Sequence, residues 1–552
     1  MTRYAALASC VLVGIVCLVL ARHNPWWALP ASVFLVLSAI GLRDLVQKKR
    51  TLLRNYPLLA HLRYQLESIG PEIRQYFIES DTTEVPFSRQ QRALVYQRAK
   101  GVIDSRPFGT QRDLYRTDHE WINHSIRPTR IDDCNFRILI GERRLQPYSA
   151  SVFNISAMSF GALSGNAIAA LNLGAKRGGF YHDTGEGGIS DYHSRHGGDL
   201  VWQIGTGYFG CRTRAGRFDP DAFAATAGIP QVRMIELKIS QGAKPGQGGK
   251  LPAAKVSAEV AQARGIPMGK DSVSPPAHSS FDSPQGLLQF LAMLRRLSGG
   301  KPTGIKLAIG HPWEWFALAK AMHQWRIFPD FIVIDGAEGG TGTAPAEFMD
   351  HVGLPMQEGL MLVHNTLVGL GIRSEIKLAA AGKIVSSFDM ARIMAMGADW
   401  CNAARGFMFS LGCIQALRCH TGGCPTGIAT QNPRLARNLD VADKADRVFR
   451  FHANTLRALG DLVSAAGLNA PSELRPEHVL RRVSPAKICS FAALYRFVEP
   501  DQLLYETPNH AVFRQFWHRS SPSSFDLLPA ASTRSCWSRA RGHEPMDASS
   551  AE

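Results

Sequence analysis

Between residues 150 and 410 the chain repeats one alternation: a short run that is apolar throughout, a break at glycine or a polar residue, then in most intervals a helical pattern. The runs are "VFNISAMSFG", "GFYHDTGEGG", "VWQIGTGYFG", "MIELKISQGAK", "GIKLAIG", "FIVIDGAEGGTG", "IKLAAAGKI" and "WCNAARG". Between them, "NAIAALNLGAKRGG", "SPQGLLQFLAMLRRLSGG", "EWFALAKAMHQW" and "FDMARIMAMGAD" place apolar residues at i, i+3 and i+4. A strand with no polar side must be covered on both faces, and intervening helices supply that cover only for a parallel sheet. Eight such strands over roughly 250 residues match an α/β fold of the (β/α)8 TIM-barrel type. An open doubly wound sheet is the competing arrangement. No G-x-G-x-x-G follows the first run, which weakens a dinucleotide-binding reading.

A barrel of this type does its chemistry at the carboxyl ends of its strands. Gly382 and Lys383 follow the seventh run, and Arg405 and Gly406 follow the eighth. Glycines there let backbone N–H groups approach a phosphate, and the adjoining cations add charge. The fourth run ends in Lys238, followed by Gln241 and Lys244, and the fifth carries Lys306. Cations converging on one face need an anionic partner. A flavin phosphate, a flavin ring gaining negative charge on reduction, and a dicarboxylate substrate would each provide one.

"CIQALRCHTGGC" holds three of the ten cysteines, Cys413, Cys419 and Cys424, and Pro425 follows the last. The C-x5-C-x4-C spacing lacks the C-x2-C pairs of common zinc sites. Three thiolates on a Gly- and Pro-rich loop suit an iron–sulfur cluster better. Spacing alone leaves a cluster, zinc and coincidence open.

The first fifty residues contain two uncharged stretches, "YAALASCVLVGIVCLVLA" and "WWALPASVFLVLSAIGL", separated by "RHNP". Each is near the length needed to span a bilayer, and Trp26 and Trp27 suit an interface. Arg43, Lys48, Lys49, Arg50 and Arg54 follow the second stretch. The positive-inside rule therefore predicts a membrane-bound, two-span transmembrane hairpin over 1–50 with both ends in the cytosol. A single span or buried helices are the alternatives. In the cytosol clustered cysteines more often bind metal or do redox chemistry than form disulfides. The net charge of +16 comes without basic runs interleaved with aromatics, so nucleic acid is not an expected partner. Helical patterns predict a cap over 51–135 and a helical segment over 432–516, and the composition of 517–552 predicts a disordered tail.

The blocks "SAMSFGALS", "TGEGG", "KISQGAKPGQGGKLPAAKV", "DFIVIDGAEGGTGTAP" and "LGCIQALRCHTGGCPTGIATQNP" together resemble the FMN-binding synthase domain of glutamate synthase, over residues 136–431 and in the family's order. The resemblance implies a barrel carrying FMN and a 3Fe-4S cluster that makes glutamate from 2-oxoglutarate. By position it implies Ala157, Met158 and Ser159 along the flavin, and Gln203 and Lys306 at its ring. Gly382, Lys383, Arg405 and Gly406 would hold its phosphate. Lys238, Gln241, Lys244 and Arg264 would hold 2-oxoglutarate, with Lys238, Lys306 and Glu186 in catalytic roles. Cys413, Cys419 and Cys424 would be the cluster ligands. Gln247 and Lys250 depart from the family, which usually has an acid and a glutamine there. The chain opens on an apolar stretch, not on the glutaminase domain of full-length glutamate synthases. The expected nitrogen source is therefore ammonia, an amine, or a separate subunit. Another amine or 2-oxo acid is one alternative, and a membrane-tethered electron-transfer protein is another. The electron donor is unnamed.

Overall fold

The computed structural model describes residues 4–47, 50–82 and 85–529. The chain divides into two compact units, Met1–Arg89 and Gln90–Glu552.

In the larger unit the eight apolar runs form eight parallel strands: β1 (Phe153–Ile155), β2 (His182–Asp183), β3 (Leu200–Ile204), β4 (Val232–Lys238), β5 (Thr303–Leu307), β6 (Phe331–Asp335), β7 (Lys377–Ala381) and β8 (Trp400–Ala403). They close into a barrel, with β8 returning to β1 through Cys401 opposite Phe153 and Ala403 opposite Ile155. Closure rules out the open doubly wound sheet. The strands are almost wholly buried, as runs without a polar face require. The helices follow the i, i+3, i+4 pattern, among them Gly165–Gly178, Pro284–Leu297, Pro312–Trp325 and Ser387–Ala395. A long helix, Val441–Ala465, packs against Gly165–Gly178. Contact is close because Gly174 has no side chain: a Cβ there would lie 2.5 Å from Val448.

The amino-terminal end of the barrel is closed by charge. Asp330 accepts Nε of Arg144 at 2.5 Å, Nε of Arg295 at 3.0 Å and the N–H of Thr303 at 2.8 Å.

Three expectations change. Residues 51–135 are not one helical cap: the division between units falls at Arg89, and Glu120–Ile122 is a strand. That strand pairs with Val479–Ser484, itself in a hairpin with Lys487–Ser490, so the 432–516 segment is not wholly helical. The pairing joins segments some 360 residues apart in sequence (Glu120 with Arg481), which local periodicity does not register. Residues 517–529 are ordered. Trp517 is buried beside Phe316, its ring 5.2 Å from that of Phe316, and Lys320 donates to the Ser520 carbonyl at 2.9 Å. One large aromatic with a matching cavity outweighs a polar composition. Residues 530–552 of the expected tail lie outside the described residues.

In the smaller unit, helices Ala5–Ala21 and Ala28–Val46 pack together across a turn in which Asn24 accepts the N–H of Trp26 at 3.1 Å. Gly14 faces Phe34 and Gly41 faces Leu7. Among the described residues one segment, Pro25–Val46 with 22 residues, is long and apolar enough to cross a membrane; Ala5–Ala21 is shorter. Lys48 and Lys49 lie outside the described residues.

Candidate functional site at the carboxyl mouth of the barrel

β4 delivers Lys238 to the carboxyl mouth, where the loop after β2 brings Glu186. The Lys238 ammonium lies 3.1 Å from the Glu186 carboxylate and donates to Gln241 at 2.5 Å. The two glycines that face Glu186 give it room: a Cβ on Gly249 would lie 2.0 Å from its carboxylate, and one on Gly205 would lie 2.7 Å from its Cβ. Burial alone would raise the Glu186 carboxyl. Lys238, with Arg264 and Lys244 behind it, outweighs that push and holds it below the ordinary carboxylate range. A cleft opens here, lined by Glu186, Thr206, Lys238, Ser240, Gln241 and Gln247 among others.

Of the other residues expected around 2-oxoglutarate, Lys244 donates to the Thr343 hydroxyl at 3.3 Å. Arg264 ends the helix Ala258–Arg264, donates to the Ser272 hydroxyl at 3.2 Å and lies 5.1 Å from the centre of the Phe209 ring. Both are buried, and burial lowers the pKa of each, with Glu186 opposing. Neither forms part of the cleft wall, although both act on Glu186. Lys250, one of the two departures, stands exposed on the edge hairpin Lys250–Leu251/Ser272–Val273, 3.9 Å from Asp271.

Inside the mouth lies a buried polar chain. Parallel register sets Lys306 beside Lys238 and Gln203 beside Glu236. Gln203 donates to Glu236 at 2.6 Å, and the Lys306 ammonium lies 3.7 Å from Asp335. Burial and repulsion from Glu236 raise the Asp183 carboxyl well above its usual range, with Lys306 opposing, and burial raises that of Glu236. Lys306 remains charged: burial opposes this, but Asp335, Glu236 and Asp183 overcome it. Asp183, Glu236 and Asp335 were not singled out from the sequence. A signal was available, a carboxylate inside an otherwise apolar strand ("YHDT", "IELK", "VIDG").

Ala157, Met158 and Ser159 follow β1 directly. The "TGEGG" loop presses on them: a Cβ on Gly185 would lie 2.8 Å from the Ser159 nitrogen, and Gly185 has φ +64°. Gly382 and Lys383 follow β7, with Lys383 in the left-handed region at φ +49°. Arg405 and Gly406 open the short helix Arg405–Ser410 after β8, and Arg405 donates to the Gly340 carbonyl at 3.1 Å. The sequence reading also missed Glu338, which accepts the Met356 N–H at the start of helix Met356–Gly369 and lies near Gly382.

Cys413, Cys419 and Cys424 are free thiols on the loop after Arg405–Ser410. Lys255 donates to the Cys419 carbonyl at 2.5 Å, and Gly342 approaches Cys419 so closely that a Cβ would lie 3.2 Å from its carbonyl carbon. The loop is thus seated against the segment that follows β6. Burial would raise the Cys424 thiol, but the Thr426 hydroxyl and the N–H groups of Ala429, Thr426 and Ile428 pull it below its ordinary value. At Cys413 burial prevails and the thiol is raised, despite the Gln415 N–H and Arg405. Among the described residues no three Asp, Glu, His or Cys side chains converge tightly enough to hold a single metal ion.

The conserved region in glutamate synthase matches residues 115–469 of this chain. The glutamate synthase large subunit-like protein YerD of Bacillus subtilis is 37% identical over 514 residues, covering 85% of this chain and 97% of that protein. The archaeal glutamate synthase [NADPH] of Methanocaldococcus jannaschii is 36% identical over 322 residues, covering 58% of this chain and 60% of that protein. This chain therefore matches about three fifths of the archaeal protein's length. Among solved structures, a flavocytochrome b2 variant with sulfite bound is 10% identical, with a TM-score of 0.42 over 81% of this chain and 92% of that one.

Proposed function

The chain belongs to the glutamate synthase family, and on that premise we propose that it is an oxidoreductase that reductively aminates 2-oxoglutarate, or a closely similar 2-oxo acid, at the carboxyl mouth of its barrel. The observation that carries this reading is a charge imbalance. Lys238, Lys244 and Arg264 all act on one carboxylate, Glu186, beside an open cleft. The surplus positive charge suits a dicarboxylate. Lys238 and Gln241 at the wall would bind and orient it, and Glu186 would fix the ammonium of Lys238.

The residues present fit an FMN and a three-iron cluster. Gly382 and Gly406 leave backbone N–H groups accessible to a phosphate, with Lys383 and Arg405 as its cations. Gln203 and Lys306 offer buried polar groups to a ring lying along Ala157, Met158 and Ser159. At Cys424 the converging N–H donors favour a thiolate, and Cys413 and Cys419 complete the donor set of a cluster in which each thiolate would bind a different iron. When bound, FMN would supply the hydride and the 3Fe-4S cluster its electrons. This chain's part is to place the substrate, exclude competing anions and keep Lys306 charged through Asp335. Nitrogen would come from ammonia or another amine. The cofactor in the archaeal relatives' name makes NADPH the first reductant to test.

The apolar hairpin at the N-terminus is read as a two-span membrane anchor with the catalytic unit on the cytosolic side, supported by the basic residues after Val46. Reporter fusions after residue 50 test this, and exposure of the barrel on the far side of the membrane would overturn it. The functional reading is tested by titrating the flavin-loaded protein with 2-oxoglutarate, then assaying amines with a reduced artificial donor. A flavin spectrum unmoved by 2-oxoglutarate would remove the substrate assignment and favour electron transfer alone.

A further inference from the structure

The helix Leu59–Ile73 leaves its apolar stripe exposed. Leu59–Ile73 carries Leu59, Leu62, Leu66, Ile69 and Ile73 at spacings of three and four, which align on one narrow stripe. In a helix packed on a soluble core that stripe would be buried. Here its residues are 54%, 59%, 51%, 47% and 36% exposed. The side turned toward its own unit carries the buried Ala60 together with polar groups. His61 bonds to the buried Asp44 at 2.9 Å, the Leu58 N–H donates to the same carboxylate at 3.2 Å, and Arg50 lies over the Tyr64 ring at 4.7 Å. Leu58 also packs near Gly41, where a Cβ would lie 3.3 Å from its Cγ. The Asp44 clasp thus ties the start of this helix to the end of Ala28–Val46 and leaves the Leu/Ile stripe facing out. The apolar surface continues past the helix in Phe77 and Ile78, 85% and 72% exposed.

We propose that this stripe lies in the boundary between headgroups and acyl chains of the bilayer, as an in-plane helix fixed to the membrane anchor. Two observations favour lipid over a protein partner. The stripe is continuous in the chain with the one segment apolar enough to cross a membrane, and the clasp holds the two together. From residue 43 to 58 the sequence carries Arg43, Lys48, Lys49, Arg50 and Arg54 against a single acid, Asp44, which is buried, while Arg63 on the helix pairs with Glu67 at 2.7 Å. A basic flank beside an apolar stripe is the composition that anionic headgroups attract. The inference rests on the reading of residues 1–46 as membrane-inserted, and its test separates the two.

A photoreactive benzophenone amino acid is placed in the full-length protein at Val36, at Leu66, or at Ser68 on the opposite side of the helix. Each variant is reconstituted in vesicles of phosphatidylcholine and phosphatidylglycerol, irradiated and analysed by mass spectrometry. Lipid adducts at 36 and 66, at least several-fold more abundant than at 68, are the expected result. Adducts at 36 with none at 66 would overturn the in-plane helix while leaving the anchor standing. Protein adducts at 66, to another chain or a second copy, would overturn it in favour of a protein partner. Equal lipid labelling at 66 and 68 would overturn the orientation. Absence of lipid at 36 would remove the anchor, and this inference with it.

Discussion

At the amino-terminal end of the barrel Asp330 takes two guanidinium groups and a backbone N–H, all from its own chain. At the carboxyl end Lys238, Lys244 and Arg264 share Glu186, and Lys306 leans on Asp335, Glu236 and Asp183. Both sets of charges are largely buried and belong to the same strands' opposite ends. The first set joins two guanidinium groups to one carboxylate and ties segments of its own chain together. The second is left with a surplus of cations beside a cleft, which a ligand can complete. Burying charge is costly unless it is paired, so the larger excess, three cations on Glu186 against two on Asp330, is the one a ligand would complete.

The contrast can be broken in several ways. The largest expected effect is at the cysteine loop: Cys424→Ala should lose the cluster's iron and sulfide and reduce turnover with a physiological donor to background, with flavin content kept. Full iron and sulfide in that variant would take Cys424 out of the ligand set. Next, Asp330→Ala leaves Arg144 and Arg295 without their shared carboxylate, and should cost about 3–5 kcal/mol of stability. Its apparent KM for 2-oxoglutarate should not move. A changed KM with an unchanged melting temperature would reverse the assignment of the two ends.

Lys238→Met is the complementary test. Losing a charge-assisted bond worth roughly 1.5–3 kcal/mol should raise the apparent KM about ten- to a hundred-fold. The melting temperature should shift less than in Asp330→Ala. The smallest effect is in pH dependence. Because the Glu186 carboxyl is held below its usual value, its pairing with Lys238 stabilises the fold fully above the unfolded carboxyl value of about 4.3 and is lost as pH falls through the depressed folded value. The gap in melting temperature between the wild type and Glu186→Gln should therefore be constant near neutrality and narrow only in acid. A gap that already narrowed near pH 6 would show that Lys238 does not control Glu186.

The eight strands were legible in the chain because each is apolar without a break, a pattern that a two-sided cover imposes. Lys238 and Lys306 were singled out for a related reason, as cations inside or at the end of such runs, whereas Gln203 came only through the family resemblance. Gly205 and Gly249 were not legible, since the side chain they make room for, Glu186, comes from another loop. That Arg264 and Lys244 both act on Glu186 was not legible either, since it depends on a carboxylate delivered by another loop. A helical pattern over Leu59–Ile73 was legible, but which way its Leu/Ile stripe faces depends on Asp44, fifteen residues earlier than Leu59.

By itself the sequence determined the barrel, its strand order and the side of it on which chemistry sits, because hydrophobic periodicity and glycine-rich strand ends are local properties carried by neighbouring residues. Tertiary structure alone decided which charges meet. It set Asp183 near Glu236 and three cations on Glu186, put two guanidinium groups on Asp330 at the other end, and left a Leu/Ile stripe exposed. Each of these outcomes depends on distances between residues far apart in the chain, and electrostatic energy follows distance and burial, not sequence separation.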